Sequence, residues 1–487
     1  MRSRQFNFKS LAGLAALVGL LAGASQQAQA AATIVINNLN APGVGFNEVT
    51  PAAPLGGNVG TTLGEQRLIA FTYAANLWGA TLTSNQPIII NAQFASLTCT
   101  AASAVLGSAG ATAAFRDNVN FPKPGTWYSY ALANKLAGAY LGTLNAAQIN
   151  ANFNVNLGNS GCLTGTFWYY GLDGNHGSNI DFIAVLQHEM GHGVGFQTFT
   201  NGSTGVQFGV SASAPSGFPA IWEHYLLGTS TGLTWMQMTP AQRVASAVSI
   251  NGLVWTGAGV TAAIPNVLRQ GLATVSISGA AAGAAAGAYG VGEASFGPAV
   301  TAAPVTAQLM PVLEANGTRS LACIAFTPNQ ATAVNGRIAI IDRGSCGFAV
   351  KAKNAQNAGA VGVIIHNNAP GGAPALGGTD PTVVIRAVSV SQSDGNTIRL
   401  SLNRISRTGS GVVAAISLTG SQFAGADLLG RALMFAPNPF QGGSSVSHFD
   451  ASMTRNQLME PSINGDLTQS LIPPLDMTFP LLQDTGW

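Results

Sequence analysis

The chain has 487 residues and a formal net charge of +2, and only 8% of its residues are charged, against about 25% in an average soluble protein. So few Lys and Arg exclude a nucleic-acid-binding surface, which needs clustered cations to neutralise phosphate. A content of 47% hydrophobic residues, with 22 Phe and 7 Trp, excludes a wholly disordered chain, and the length accommodates two to three domains with cores of their own.

The first residues read as an export signal. Arg2, Arg4 and Lys9 form a basic start, Leu11 to Ala24 an apolar stretch, and Ala28-Gln29-Ala30 a small-residue cleavage site. The apolar stretch is too short to cross about 30 Å of hydrocarbon as a helix. Residues 1–30 are therefore expected to be a signal peptide and the mature protein to be secreted, extracellular or periplasmic, with no transmembrane segment. Four cysteines in an exported chain predict two disulfides, and Cys99–Cys162 with Cys323–Cys346 is the most local of three connectivities.

Beyond the signal, Thr33-Ile34-Val35-Ile36 predicts a strand, and Thr62-Leu63-Gly64-Glu65 is a capping box opening a helix toward Trp78. Pro87 to Ala92 reads as a buried strand, Tyr130 to Leu141 as a helix and Phe167 to Tyr170 as a strand. Asn179 or Asp181 can cap a helix that runs through Ile183, Leu186 and His192 and stops at Gly193 and Gly195. Gln270 to Gly292, rich in Ala, Gly and Ser, is expected to be a flexible connector plus a strand. Arg337 to Ile341 and Val361 to Ile365 then read as strands around a helix from Phe348 to Ala358, a compact unit. Residues from Gly420 onward, with five prolines from Pro437 to Pro474, read as loops.

His188-Glu189-Met190-Gly191-His192 carries the chemistry. On a helix the two histidines lie one turn apart and can reach one metal ion, for which zinc, a redox-inert Lewis acid, is suited. Glu189 stands beside them as the expected general base, taking a proton from the attacking water and passing it to the leaving amine. A catalytic zinc needs a third protein ligand. The pattern H-E-x-x-H-x-x-G-x-x-H continues through Gly195, but Thr198 occupies its last position, leaving His176, Glu223, His224, His366 and His448. His176 sits in a turn-rich loop, and His366 at a strand end. Glu223 and His224 have apolar and aromatic neighbours, whereas His448 lies in a Gly- and Ser-rich loop with little packing use for an imidazole. Asp173 and Asp181 suggest a structural calcium, but a turn and a helix cap account for both.

His188 to Phe196, then Ser447-His448-Phe449-Asp450 and Leu458-Met459-Glu460-Pro461 far downstream, resemble the leishmanolysin-type metzincin zinc metalloproteases. In that family a long insertion separates the motif helix from the third histidine. The resemblance implies His448 as the third zinc ligand and Met459 as the residue of a methionine turn beneath the metal. Gly336 to Phe348, followed by Lys351, Asn354-Ala355-Gln356 and Ala358-Gly359-Ala360, resemble the protease-associated (PA) domain, a non-catalytic module inserted in many secreted peptidases.

The expected fold class is thus α+β, a metzincin-like catalytic domain interrupted by an α/β PA-type domain. Its expected boundaries are 1–30 for the signal, 31–272 and 404–487 for the catalytic domain, and 273–403 for the insertion. The expected function is a secreted zinc metalloendopeptidase with one catalytic zinc, acting on protein or peptide substrates. The alternative is an exported binding or adhesion protein that keeps the fold without catalysis. A two-metal aminopeptidase is disfavoured because it needs bridging carboxylates beyond the single motif.

Overall fold

Alternating apolar positions build the first sheet. In Ile88–Ala95 every second residue, Ile88, Ile90, Ala92 and Phe94, is buried, the period-2 pattern of a strand covered on one face. Ile34–Asn38, Ile88–Ala95 and Ile149–Asn154 run parallel, and Gly107–Ala111 adds an antiparallel edge beside Ile149–Asn154. The uncovered face is tied by amides rather than charges. Asn37 Nδ2 donates to Asn91 Oδ1 (2.7 Å), Asn91 Nδ2 to Asn150 Oδ1 (3.1 Å) and Gln93 Nε2 to Asn152 Oδ1 (3.0 Å). This is how a chain so poor in charge wets a flat surface.

The computed structural model describes residues 30–487 except 102, 379, 403–405, 407 and 465. The expected signal peptide lies outside the described residues but for Ala30. Among the described residues no helix is long and apolar enough to cross a membrane.

Two helices cover the inner face of the sheet. Leu63–Thr81 starts with the expected capping box, Glu65 N–H donating to Thr62 Oγ1 (3.2 Å) and Thr62 N–H to Glu65 Oε2 (3.1 Å). Phe182–Val194 contains the two motif histidines and is capped by Asp181, whose Oδ1 accepts from Ile183 N–H at 2.9 Å. Phe46, Phe71, Phe94, Phe153 and Phe182 interlock between sheet and helices. The Tyr130–Ala137 helix stops short of the expected Leu141 because Gly138 turns left-handed at φ 67° and closes it.

A second sheet of eight strands spans Gln270 to Phe423. Its order is Gly287–Gly290, Gln270–Ser278, Val413–Phe423, Val305–Pro311, Ile338–Asp342, Gly362–His366, Arg386–Val390 and Gly292–Glu293. The two outermost strands are separated in sequence only by Val291, so the sheet curls round on itself. It is organised around two hydrophobic cores of its own, one centred on Ile340, Ile364 and Ile416, the other on Ile341, Val363 and Ala352. The stretch Gln270–Gly292, expected to be a flexible connector plus a strand, holds three strands, Gln270–Ser278, Gly287–Gly290 and Gly292–Glu293. Gln270–Ser278 pairs along Val413–Phe423, a partner that local propensity does not register. The ends of this body meet, since Gln270 pairs with Phe423 and Ala424 N–H donates to Arg269 O at 2.9 Å.

Disulfides join Cys99 to Cys162 and Cys323 to Cys346. The first ties the segments that follow two neighbouring strands of the first sheet and so fixes the loop leading into the edge strand Gly107–Ala111. The chain past Gly420, expected to be loops, holds the end of the long strand and a final helix, Thr478–Thr485.

Candidate metal centre

The motif helix presents His188 and His192 on one face, and its C-terminal end is closely held. Ser129 Oγ and Trp487 Nε1 both donate to Val194 O, at 3.1 and 2.9 Å. Gly195 then turns the chain away at φ 125°, a conformation L side chains rarely adopt, and a Cβ there would lie 2.7 Å from Ser129 Oγ.

The turn leads to Thr198, where the uninterrupted pattern would have its third histidine. Thr198 N–H instead donates to Ser447 Oγ at 3.1 Å, which brings the neighbouring His448 to that place. Trp222 Nε1 holds the same loop through Val446 O (3.2 Å), and His448 O accepts from Phe435 N–H (2.9 Å). His188, His192 and His448 are thus assembled, with Nε2–Nε2 separations of 3.1, 3.1 and 3.2 Å.

The outer ring nitrogens decide what these inner ones are. His188 Nδ1 lies 2.8 Å from Leu458 O, His192 Nδ1 2.8 Å from Phe196 O and His448 Nδ1 2.8 Å from Ser444 O. A carbonyl only accepts, so each Nδ1 carries the proton and each neutral ring turns a bare Nε2 lone pair inward. Burial lowers the pKa of all three, His192 to about 3 and His448 well below its ordinary value, with neighbouring imidazoles adding to the effect on those two. Three converging lone pairs repel unless a cation lies among them. Their spacing is close to the roughly 3.3 Å edge of a tetrahedron with Zn–N bonds of about 2.0–2.1 Å. The donor set fits a zinc ion with three nitrogen ligands.

Glu189, 6% exposed, points from the same helix toward the edge strand. Burial pushes its carboxyl up to about 8, opposed by the Ala109 backbone N–H. A Cβ on Gly107 would lie 2.7 Å from Glu189 Oε1 and 2.8 Å from its Cγ, so only glycine leaves the carboxylate its place. Met459 is fully buried, and a Cβ on Gly191 would fall 2.6 Å from its Sδ, which places the methionine against the motif helix between the two histidines. Its carbonyl accepts from Phe449 N–H (2.9 Å), linking it to the residue after His448.

The other candidates lie elsewhere in the fold. Glu223 is wholly buried, its Oε1 accepting from Thr198 Oγ1 (2.5 Å), Phe199 N–H (3.2 Å) and Thr200 N–H (3.1 Å), its Oε2 from Ala220 N–H (2.6 Å). It anchors the segment after the motif helix, a role no sequence pattern announced. His224 Nε2 lies 3.1 Å from Thr126 Oγ1, and burial lowers its pKa to about 4. His176 Nδ1 faces Asn179 O, and His366 is buried in the second sheet against Asp342 and Arg399. Asp173 holds its own turn through Asn175 N–H, and Asp181 caps the motif helix. Gly228-Thr229-Ser230-Thr231-Gly232 has the spacing of the G-x-S-x-G nucleophile pattern, which the sequence was read as lacking. It forms a turn between antiparallel strands rather than a strand-to-helix elbow, and so presents no nucleophile.

Residues 303–398 match the family model of the PA domain. The chain contains a PA domain. It lies within the eight-stranded body, whose sheet extends beyond the match at both ends. No curated protein matches the chain. Among solved structures it is similar to an aminopeptidase from Aneurinibacillus sp. strain AM-1, at 24% identity over 32% of this chain and 32% of that one, with a TM-score of 0.22. A zinc aminopeptidase from Bacillus subtilis, BSAP, is 22% identical over 33% of this chain and 36% of its own, with a TM-score of 0.23. The subtilisin-like protease Apa1 from the Antarctic psychrotroph Pseudoalteromonas sp. AS-11 is 21% identical over 31% and 34%, with a TM-score of 0.21. The chain spans about a third of the length of each.

Proposed function

We propose that the protein is a secreted zinc metalloendopeptidase of the metzincin type, similar to leishmanolysin, with its PA domain inserted between the second and third metal ligands. The observation that carries this reading is the convergence of three neutral histidine Nε2 atoms beside a buried glutamate. His188, His192 and His448 would hold the zinc, which supplies Lewis-acid chemistry when bound. Glu189 takes the proton of the attacking water and delivers it to the leaving amine nitrogen. Met459 supports the ligands from below.

The edge strand favours an endopeptidase. Leu106 O accepts from Asn154 N–H and Thr112 N–H donates to Gln148 O, so these flanking residues face the sheet. By the alternation of an antiparallel pair, the main-chain groups of Gly107, Ala109 and Ala111 face outward, on the side where Glu189 lies. An extended substrate can add there as a further strand and run past the metal in both directions. Among the described residues the three histidines form a cluster fit to hold one metal ion. The two disulfides accord with secretion.

The deciding experiment pairs metal content with product analysis. One zinc per chain, chelator-sensitive hydrolysis restored by zinc, and internal fragments rather than single N-terminal residues are expected from a denatured protein substrate. Zinc binding without hydrolysis would favour the binding-protein alternative, and no zinc would defeat the proposal.

Two further outcomes follow. Gly107→Ala should displace Glu189 and lower kcat about tenfold or more while leaving zinc content unchanged; unchanged kcat would show that the carboxylate's place is not critical. Replacing residues 271–422 by a short linker should preserve zinc binding and cleavage of a small peptide, because Arg269 and Ala424 are already hydrogen-bonded neighbours. A folded deletion variant without zinc would show instead that the inserted body helps to build the site.

A further inference from the structure

We propose that Asp476, outside the metal centre, is a positioning residue that fixes the orientation of His188 through the two main-chain groups of Leu458. The proposal rests on the metal-centre reading above and adds a residue that no motif marks.

The three orienting carbonyls are not equivalent. His192 uses Phe196 O and His448 uses Ser444 O, each four residues away along its own segment. His188 alone uses a distant carbonyl, that of Leu458, 270 residues along the chain. Its ring is therefore only as well placed as the turn that carries Leu458.

That turn is pinned by buried polar groups. Leu458 N–H donates to Asp476 Oδ2 at 2.7 Å, while Asp476 Oδ1 accepts from Thr478 N–H at 2.7 Å, at the start of the final helix. Next to it, Gln457 N–H donates to Glu460 Oε1 (2.7 Å), and Gln457 Oε1 accepts from Met477 N–H (2.9 Å). Gln457, Glu460 and Asp476 are 0%, 1% and 3% exposed, so water cannot stand in for any of these bonds. Asp476 thus clamps the turn to the final helix, Leu458 passes the constraint to His188, and Met459 is held against Gly191 by the same clamp.

A carboxylate is costly to bury, and a two-oxygen acceptor is what this place requires. An asparagine has nearly the same volume but one acceptor oxygen. In that variant either Leu458 N–H or Thr478 N–H faces an amide NH2.

Asp484, on the same final helix, provides a matched comparison. Its carboxylate accepts from Trp255 Nε1 (3.0 Å), Gly259 N–H (2.7 Å) and Val260 N–H (3.2 Å), with none of these partners bonded to a metal-centre histidine.

The test measures zinc affinity by chelator competition on the metal-depleted full chain, with the visible spectrum of the cobalt(II)-loaded protein as a report on ligand geometry. Asp476→Asn should weaken zinc binding by up to the about 10–100-fold that follows loss of a ligating histidine's own outer partner, and should alter the cobalt spectrum. Asp484→Asn should lower the thermal midpoint and leave both metal readouts as in the wild type. If Asp476→Asn does not fold, Gln457→Leu loosens the same turn and should give the same losses. Wild-type zinc affinity and cobalt spectrum in the folded variant would overturn the proposal, as would equal losses in Asp484→Asn, which would mark the effect as general destabilisation. A wild-type chain that binds neither metal would defeat the metal-centre reading itself and this proposal with it.

Discussion

Glu189→Gln is expected to keep zinc binding and to reduce peptide hydrolysis by about 10²–10⁴-fold or more. Glutamine has the same shape, so the contacts with Gly107 and the edge strand survive, and an amide can still orient a water. It cannot take a proton from that water or return one to the leaving nitrogen. Glu189 is buried and uncompensated by a cation of the protein, so an amide of the same shape should be tolerated by the fold. Parallel measurement of kcat and zinc content checks the expectation. Near-normal turnover in a zinc-loaded variant would place the proton transfer elsewhere.

His448→Ala should cost more than the turnover. It removes one of three Nε2 donors, leaving His188 and His192 as a two-ligand site on a single helix. The loss of zinc affinity should exceed the about 10–100-fold typical of removing an outer hydrogen-bond partner, and activity should fall with it. His224→Ala should retain both zinc and activity, since its ring bonds to Thr126. Glu223→Gln should retain zinc but lose about 1–3 kcal/mol of stability, because its amide leaves at least one buried donor of the Thr198–Thr200 segment or Ala220 unmatched. Equilibrium zinc titration and thermal unfolding of the three variants separate these outcomes. Normal zinc binding by His448→Ala with loss in Glu223→Gln would replace the metzincin-type site with a glutamate-type one.

What could be read from the residues alone was what depends on near neighbours. The Thr62–Glu65 capping box, a helix cap at Asn179 or Asp181 and the one-turn spacing of His188 and His192 all follow from the local geometry of a helix. The strand at Ile88–Ala95 follows from alternation, and the strand–helix–strand around Phe348 from patterns a few residues long. Local rules also misled. Ala and Gly between Gln270 and Gly292 suggested a flexible connector beside one strand, where the chain forms three, because no single-residue propensity registers the strands that pair with them.

Only the tertiary structure shows which contacts bring His448, Met459, Glu223 and Asp476 into their places. His448 reaches His192 across 256 residues because Ser447 bonds to Thr198 and Val446 to Trp222. The inserted body closes on itself so that its two ends meet, and the length of chain between His192 and His448 then adds almost nothing to their distance. Leu458 reaches His188 because Asp476 ties its turn to the final helix. Sequence records which side chains can ligate, accept or donate. Which of them meet is set by loop closure and by the pairing of buried polar groups, and those act over separations at which neighbouring residues carry no periodic signal.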